Sequence, residues 1–201
     1  MTTLLLVRHG ETDWNAQRRI QGSTDIPLND EGRAQAQGVA ERLAQQFAGI
    51  RPVVVASDLS RARETAKAIA AAVGAEPPRL YRQLRERSYG VAEGLTDAEY
   101  LARFGAWNRD NVPEAEPTPH LRRRAVAAAR RVVRDARRRH APLDVPVIAV
   151  SHGGLIRELI RHASGDTLPR EGERLANTST HTFLVERDRL SLHAYAAVPV
   201  G

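Results

Sequence analysis

The sequence predicts an α/β fold: a three-layer sandwich in which a mostly parallel central sheet carries helices on both faces and a small inserted lid. Short apolar runs alternate along the chain with longer stretches of helical periodicity, which is typical of strand–helix–strand units. Two of these apolar runs end alike, in a histidine followed directly by glycine, at 9–10 and at 152–153. Because there is no internal repeat, linker or low-complexity tract, we expect one domain over 1–201 with the lid at about 87–118.

The first half of the chain predicts two strands that are each followed by a helix. In order, the expected elements are a strand at 3–8, a helix from about 30 to 46, a strand at 53–56 and a helix that ends at about 73. Asn29 or Asp30 is suited to cap the first helix, because short polar side chains accept hydrogen bonds from the first helical turn. Ser57 or Asp58 is suited to cap the second helix for the same reason.

The second half predicts a helix within the lid, a long helix and the rest of the sheet. In order, the expected elements are helices at 97–104 and 118–140, a strand at 145–150, a helix at 155–163, and two strands at 180–186 and 190–196 joined by a tight turn. Thr118 followed by Pro119 matches the preferred N-cap and first turn of the long helix.

The composition excludes several kinds of chemistry. Of the 201 residues, 42% are hydrophobic and 27% are charged, which is the balance of a folded globular protein. The chain contains no cysteine, so it has no disulfide, no thiolate zinc site and no cysteine nucleophile. No apolar stretch approaches the ~20 residues of a membrane-spanning helix, and the opening run at 4–7 is too short for a signal peptide. We therefore expect a cytoplasmic protein without membrane association.

The positive charge raises the alternative of a nucleic-acid-binding protein. The net charge is +6, and nine arginines lie in the predicted helix at 118–140. A charged outer face is the usual state of an amphipathic helix, however, and no aromatic stacking platform accompanies this one. We therefore expect no nucleic-acid partner, and steeply salt-dependent retention on DNA would show the opposite.

Two histidines are the strongest functional signal. His9 and His152 each follow an apolar strand, and the carboxyl ends of parallel strands lie on one edge of a sheet, where ligands bind. We therefore expect one shared site. Arg8 and Asn15 lie close to His9 in the chain. Arg61 lies in the first turn of the predicted helix that follows Asp58. Guanidinium and amide groups are what a phosphoryl group requires as partners.

Five segments of the chain carry a resemblance to a known family. The first is LVRHGETDWN at 6–15. The others follow in the expected order and are QGSTDIPLNDEGRAQA at 21–36, SDLSRARETA at 57–66, LRERSYGVAEG at 84–94 and SHGG at 151–154. Together they resemble the histidine phosphatase superfamily, also called the phosphoglycerate mutase-like family. The resemblance covers nearly the whole chain and is weakest at about 97–120.

The resemblance implies roles for individual residues. His9 is implied to be the nucleophile that becomes phosphorylated, and Glu86 is implied to be the proton donor. Arg8, Arg61 and His152 are implied to bind the phosphoryl oxygens, together with the backbone amide that follows His152. The residues expected to complete the substrate-binding set are Asn15, Gln21, Gly22, Arg87, Tyr89 and Gly153.

Phosphoryl transfer requires particular protonation states. In-line attack needs a neutral His9, so we expect its other ring nitrogen to donate to a backbone carbonyl and the surrounding positive charge to keep it deprotonated. We expect a charged His152 to help two arginines neutralise the phosphoryl oxygens. Glu86 would protonate the departing alkoxide and then take a proton from the water that attacks the phosphohistidine.

A metal site is a rival interpretation of two histidines near acids, with Glu11 or Asp13 as further ligands. We expect no metal and no cofactor, because no ligand spacing accompanies the histidines and the arginines would repel a divalent cation. A protein of another class, which binds a phosphorylated ligand or nucleic acid without catalysis, is disfavoured because the implied catalytic set is intact. A homodimer and the identity of the substrate are left open.

The family resembled divides chiefly into phosphatases, which pass the phosphoryl group to water, and mutases, which return it to a second hydroxyl. The run at 86–90 resembles the mutase motif, whose arginine and tyrosine help to hold a substrate carboxylate. Gly154 stands where mutases usually carry asparagine, however, and 20–23 also departs from their pattern. The sequence thus favours a phosphatase of small-molecule phosphate esters. The alternative is a 2,3-bisphosphoglycerate-dependent phosphoglycerate mutase. Only in that alternative would 2,3-bisphosphoglycerate be needed, as a primer.

Overall fold

The computed structural model describes residues 1–105, 111–196 and 198–199, and a six-stranded sheet forms its centre. The strands of this sheet are β1 Thr2–Arg8, β2 Val53–Ala56, β3 Arg79–Leu80, β4 Val147–Ser151, β6 Thr180–Val185 and β7 Leu190–Ala194. Two short strands pair with each other outside it, β5 Glu173–Arg174 and β8 Val198–Pro199. The helices are α1 Asp13–Ala16, α2 Asp30–Gln46, α3 Ser60–Ala72, α4 Asp97–Phe104, α5 Thr118–His140 and α6 Gly153–Ala163, with 3₁₀ turns at Arg82–Leu84 and Gly90–Ala92.

The order of strands across the main sheet is β3-β2-β4-β1-β6-β7. The first four strands run parallel to one another, and β6 and β7 complete the sheet in antiparallel pairs. Helices α2 and α3 cover one face of the sheet, and α5 and α6 cover the other. The predicted three-layer α/β fold with a mostly parallel sheet is therefore confirmed.

Strand β1 shows why a central strand is apolar without interruption. Successive side chains of a strand point to opposite faces of the sheet. Leu4 and Leu6 accordingly pack in the core cluster that contains α5 and α6, whereas Leu5 and Val7 pack in the cluster that contains α2 and α3. All four side chains are almost completely buried. Burial on both faces requires the continuous apolar run, and each such side chain stabilises the fold by ~1.5–3 kcal/mol.

The register of β1 against β4 fixes the level at which both strands end. Arg8 is paired with Ser151 in the parallel ladder, and the amide of His9 donates to the carbonyl of Ser151 over 3.0 Å. The hydroxyl of Ser151 donates to the carbonyl of Leu84 over 2.7 Å, which ties the segment before Glu86 to the same edge. The residues that follow the two strands therefore leave the sheet side by side.

Part of the predicted lid has a small apolar core of its own. The residues that pack together in it are Tyr89, Ala92, Tyr100, Val112 and, from outside the segment, Ile20. Helix α4 begins with a capping box formed by Thr96 and Glu99. Residues 106–110, which belong to the predicted lid, lie outside the described residues. The lid boundaries at about 87 and 118 and the single-domain organisation stay predictions.

The predicted cap of α2 is confirmed and that of α3 is wrong. The Asn29 side chain accepts a hydrogen bond from the first turn of α2, as predicted. α3 begins at Ser60, and Asp25 from a distant loop accepts hydrogen bonds from both its amide and its hydroxyl at 2.7 Å. Asp58 instead accepts two hydrogen bonds of 2.7 Å from Arg85. This bidentate ion pair with Arg85 takes Asp58 away from α3.

The N-cap residue of α5 and the bounds of β4 and α6 also differ from the prediction. α5 has Pro117 as its N-cap residue, so Thr118 is the first helical residue and not the cap. Its hydroxyl accepts a hydrogen bond of 3.0 Å from Arg87 instead. β4 begins and ends later than the predicted strand at 145–150, and α6 begins two residues before the predicted Leu155.

Several arginines of α5 are held by other groups of the protein. Arg122 binds carboxylates of α6 and of the loop after it, and Arg124 binds a carboxylate just before α5. Arg137 donates to a hydroxyl and a carbonyl of the sheet. These three side chains already support the fold, and the absence of a nucleic-acid partner stays a prediction. Among the described residues, no helix has both the length and the apolar character required to cross a membrane.

Candidate active site

The two histidines that follow β1 and β4 meet, as the sequence predicts. The ring centroids of His9 and His152 lie 5.1 Å apart, and their planes are tilted by 58°. Both side chains are buried, with 3% and 0% of their surface exposed. Because they are attached to hydrogen-bonded neighbouring strands, their separation is set by the sheet. The prediction that the two histidines converge is confirmed.

His9 has its two ring nitrogens in different states. Nδ1 lies 2.6 Å from the carbonyl oxygen of Gly10, which can only accept, so the proton is assigned to Nδ1 and the lone pair to Nε2. Burial lowers the pKa of His9 well below 6.5, and the charges of Arg61 and Arg8 lower it further. The predicted neutral His9 is confirmed, and an unprotonated Nε2 is what nucleophilic attack requires.

Two arginines border this histidine pair, and the Nε atom of each is buried without a hydrogen-bond partner among the described residues. Arg61 is completely buried, and its terminal nitrogens donate over 2.8 Å to the carbonyls of Gly22 and Thr24. A terminal nitrogen of Arg8 donates to the carbonyl of Leu175. Buried polar groups are nearly always hydrogen-bonded in native proteins. Two unpartnered guanidinium N–H groups beside a nucleophile therefore indicate an anion-binding site.

The surroundings of His152 oppose the charge that the sequence analysis expects on it. Burial lowers the pKa of His152 well below 6.5, and Arg61, His9 and Arg8 lower it further. Burial beside guanidinium groups thus disfavours another cation, and a charged His152 beside a bound phosphoryl group stays a prediction. Neither ring nitrogen has a hydrogen-bond partner among the described residues. A neutral His152 still has one N–H group to offer to a bound anion.

Glu86 lies at the N-terminus of α6. Its carboxylate accepts hydrogen bonds from the amides of Gly154 at 2.8 Å and Leu155 at 3.1 Å, and from the amide of Arg87 at 2.8 Å. The resemblance implied that a helix amide would bind the phosphoryl group, and here two amides of this helix hold the implied proton donor. Arg85 is paired with Asp58, so Glu86 is not the surface ion-pair partner of its neighbour.

A pocket of about 430 Å³ opens where these groups meet. The predicted residues that line it are Arg8, His9, Asn15, Gln21, Gly22, Arg61, Glu86, Tyr89 and Gly153. The described lining includes neither Arg87 nor His152, whose ring lies 5.1 Å from the ring of His9. Arg87 is 3% exposed, and its guanidinium lies 5.5 Å from the centre of the Tyr89 ring. The direct contact of Arg87 with substrate stays a prediction. In the observed arrangement, Arg87 contacts Tyr89, and Tyr89 lines the pocket.

Two polar side chains of the pocket are partly engaged. Asn15 completes a capping box with Thr12, and its side-chain oxygen also accepts from Asn177 over 3.3 Å. The amide nitrogen of Gln21 donates to the Thr12 hydroxyl over 2.5 Å. The side-chain oxygen of Gln21 is buried without a partner among the described residues. As an acceptor, it is suited to a substrate hydroxyl or a protonated phosphoryl oxygen.

Sequence reasoning missed several cations of the pocket. The additional arginines in its lining are Arg18, Arg19, Arg157 and Arg174. Arg157 follows Gly153 by one turn of α6, so helical spacing alone could have placed both at the site. Arg174 lies in the short strand β5, and no local pattern in the sequence connects it with the histidines.

The rival metal site is not assembled in the part of the chain that the structure describes. Within it, no group of three or more histidine, aspartate or glutamate side chains is placed to hold a metal ion. The Glu11 carboxylate accepts a hydrogen bond of 3.0 Å from Asn29 instead. That the reaction needs no metal or other cofactor stays a prediction.

A neutral buried imidazole, two guanidinium groups and a carboxyl, gathered at the carboxyl edge of a parallel sheet, define a site for phosphoryl transfer. Comparison with known proteins makes this class specific. The model of the histidine phosphatase superfamily (branch 1) matches residues 4–197, and the chain belongs to that superfamily. It is an enzyme of the phosphomonoesterase or mutase type.

Three similar proteins illustrate this membership. Phosphoglycerate mutase-like protein 4 of Arabidopsis thaliana is 37% identical over 97% of this chain and 85% of its own length. The uncharacterized phosphatase PhoE of Bacillus subtilis (strain 168) is 35% identical over 94% of this chain and 93% of its own. A mycobacterial glucosyl-3-phosphoglycerate phosphatase, solved with VO3, superposes with a TM-score of 0.80 at 27% identity over 97% and 99% of the two chains. The phosphatase interpretation of the sequence fits these comparisons.

Proposed function

We propose that the enzyme is a phosphatase that hydrolyses small-molecule phosphomonoesters through a phosphohistidine formed on His9. The observation that carries this proposal is the state of His9. It is a buried neutral imidazole whose Nδ1 faces a carbonyl, beside two guanidinium Nε atoms without partners among the described residues. Such a nucleophile needs no separate base, and the positive groups stabilise the charge on the transferring phosphoryl group.

In the first half-reaction, Nε2 of His9 forms a bond to phosphorus while the bond from phosphorus to the ester oxygen breaks. Arg8, Arg61 and His152 bind the non-bridging oxygens. The carboxyl group of Glu86, in its protonated form, gives a proton to the departing oxygen, which leaves as an alcohol. The phosphohistidine keeps its Nδ1–H group, so the Gly10 carbonyl stabilises the positive ring.

In the second half-reaction, water attacks phosphorus on the side that the alcohol has left. The Glu86 carboxylate takes a proton from this water while the N–P bond breaks. Inorganic phosphate leaves, and His9 and Glu86 return to their starting states. One carboxyl group thus serves both steps, and no metal ion is required.

A phosphoglycerate mutase is the second candidate. It is supported by the mutase-like relative and by Tyr89 in the pocket with Arg87 behind it. Gly154 favours the phosphatase, because a Cβ atom at this position would lie 2.5 Å from Oε1 of Glu86. The asparagine that mutases usually carry there is incompatible with the observed position of Glu86. A location in the cytoplasm, like the absence of a nucleic-acid partner, is part of this proposal.

The test is a panel of phosphomonoesters assayed for phosphate release, beside interconversion of 3- and 2-phosphoglycerate with and without the bisphosphorylated primer. We expect phosphate release that resists EDTA and is abolished by His9→Ala. The exposed His193→Ala serves as the matched control and keeps full activity. Primer-dependent isomerisation that is faster than hydrolysis would assign the enzyme to the mutases.

A second measurement tests the role of Glu86. We expect Glu86→Gln to form phosphohistidine from an activated aryl phosphate and to release phosphate from it slowly, because the water lacks its base. Unchanged turnover of an alkyl phosphate by this variant would remove Glu86 from both steps.

A further inference from the structure

We propose that Glu93 is a positioning residue for phosphoryl binding, which holds the Arg61 guanidinium through the loop at 22–24. The inference rests on the proposed function, because it assigns Arg61 to the phosphoryl oxygens. Glu93 is not among the residues to which the sequence analysis gave a role. The observations that carry it are the hydrogen bonds of the Glu93 carboxylate and those of Arg61, which converge on one short stretch of backbone.

The Glu93 carboxylate is an unusually well-satisfied acceptor. It accepts hydrogen bonds from the amide and hydroxyl of Ser23, both at 2.9 Å, and from the amide and hydroxyl of Thr24 at 3.0 and 2.5 Å. The amide of Tyr89 adds a fifth bond of 3.0 Å. These donors lower the pKa of Glu93 although burial acts in the opposite direction. The carboxylate therefore joins the 22–24 loop to the segment that contains Tyr89, and Gly22 and Tyr89 both line the pocket.

Arg61 contacts the same loop from the other side. Its terminal nitrogens donate over 2.8 Å to the carbonyls of Gly22 and Thr24. The Gly22 carbonyl and the Ser23 amide belong to one planar peptide group. Glu93 accepts from its N–H end, and Arg61 donates to its C=O end. A rotation of this peptide that follows loss of the carboxylate would therefore move the acceptor that orients Arg61.

The backbone at Gly22 is shaped to admit the carboxylate. Gly22 has a φ angle of +57°, in the left-handed region that favours glycine. A Cβ atom at this position would lie 2.2 Å from Oε1 of Glu93, so no other residue fits while the carboxylate is in place. The close approach of loop and carboxylate is thus built into the local sequence.

Charge adds to this geometry. Arg61 is completely buried, and its pKa is lowered to about 10 by burial, with Glu86, Asp25 and Glu93 opposing the shift. Glu86 is assigned to proton transfer, and Asp25 is occupied by the first residue of α3. Glu93 is therefore the carboxylate that both compensates the Arg61 charge and holds the backbone to which Arg61 is bonded.

The test compares Glu93→Gln with Glu99→Gln. Glu99 is a control because its carboxylate also accepts from a threonine amide and hydroxyl in the same segment, at 2.7 and 2.9 Å, but does not contact the 22–24 loop. Its ion pair of 3.5 Å with the pocket residue Arg19 is largely exposed and therefore contributes little. For Glu93→Gln we expect a loss of ~10–100-fold in the affinity for inorganic phosphate and vanadate and in kcat/KM, since charge-assisted hydrogen bonds are lost. For Glu99→Gln we expect wild-type affinity.

The pH profile separates this role from a purely structural one. The charged groups that face Arg61 are Glu86, Asp25, Glu93 and Arg8, with His9 and His152 beside them. Removal of the Glu93 charge lowers the pKa of Arg61. The alkaline limb of the pH profile, which is the loss of phosphate affinity as Arg61 deprotonates, therefore moves to lower pH in Glu93→Gln. Glu93→Asp keeps the charge and is expected to return the limb toward the wild-type position, although its shorter side chain cannot restore every bond.

Two further outcomes are decisive. If Glu93→Gln binds phosphate like Glu99→Gln, or if its alkaline limb does not move, the inference is refuted. If Glu93→Gln does not fold, Gly22→Ala provides the second perturbation, because its methyl group displaces the carboxylate while the charge remains in the chain. Gly22→Ala with wild-type phosphate affinity would equally refute it. Failure of the proposed function is a separate result, recognised by absence of phosphate release and phosphohistidine in the wild-type enzyme.

Discussion

The substitution Gly154→Ala moves Glu86 without disturbing the fold. A Cβ atom on residue 154 would lie 2.5 Å from Oε1 of Glu86 and 3.1 Å from its carboxyl carbon. One partner must move, and the end of the Glu86 side chain is the flexible one. Because this carboxylate accepts from the amides of Gly154 and Leu155, its displacement breaks both hydrogen bonds.

The expected magnitude follows from these two bonds. A hydrogen bond to a charged group contributes ~1.5–3 kcal/mol, and water in the open pocket replaces part of each lost bond, so displacement of the carboxylate from both amides costs ~2–3 kcal/mol. If proton transfer requires this position, the rate on a substrate that needs an acid falls by ~30–150-fold. Gly154 does not have a positive φ, and alanine is favoured over glycine in a helix by up to ~1 kcal/mol. This gain offsets part of the lost hydrogen bonds, so the variant should fold and should be less stable than the wild type by only about 1–2 kcal/mol.

The assay compares two esters that differ in the leaving group. Glycerol 3-phosphate releases an alkoxide that must be protonated, whereas p-nitrophenyl phosphate releases a stable phenolate. We expect kcat/KM to fall ~30–150-fold for the first ester and less than ~3-fold for the second. Gly38→Ala in α2 is the control, because its methyl group meets only an arginine nitrogen at 4.0 Å. Equal losses on both esters, or a wild-type rate on glycerol 3-phosphate, would contradict this account of Gly154.

Two further predictions concern stability. His181 is buried and its pKa is lowered to about 4, so between pH 6.5 and 4 the unfolded chain binds a proton that the folded protein does not. The free energy of unfolding should fall by ~3 kcal/mol through this group as the pH decreases across that window, and urea titrations of His181→Gln should show a shallower fall. Leu6→Ala should lower the free energy of unfolding by ~2–5 kcal/mol at pH 7, because it leaves a cavity under α5 and α6. A urea midpoint equal to that of the wild type would contradict the second prediction.

The sheet and the histidine pair could be predicted because their signals are local. An apolar run such as Leu4–Val7 is visible in the sequence, and the His–Gly pairs mark where β1 and β4 end. Parallel strands place their carboxyl ends together whatever the loops do. The neutral state of His9 also followed from its arginine neighbours, since their positive charge disfavours a protonated ring.

The parts that were missed depend on groups far apart in the chain. Asp58 was expected to cap α3, but Arg85 forms an ion pair with it and Asp25 takes over the helix terminus. The lowered pKa of His152 depends on burial, which appears only when the strands assemble. Glu93 is about seventy positions from the loop that it holds, so no local pattern could reveal its five hydrogen bonds.

The hydrogen-bonded pairing of β1 with β4 has a consequence for how such an enzyme can acquire a new substrate. The distance between the rings of His9 and His152 is set by the pairing of β1 with β4. A shift of the β1 register by one residue would turn every core side chain of β1 to the opposite face of the sheet. The rim, by contrast, is made of short segments such as Arg18–Arg19 and β5, which few core contacts constrain. New esters can therefore be accommodated by rebuilding the rim alone, while the two rings stay where the backbone hydrogen bonds put them.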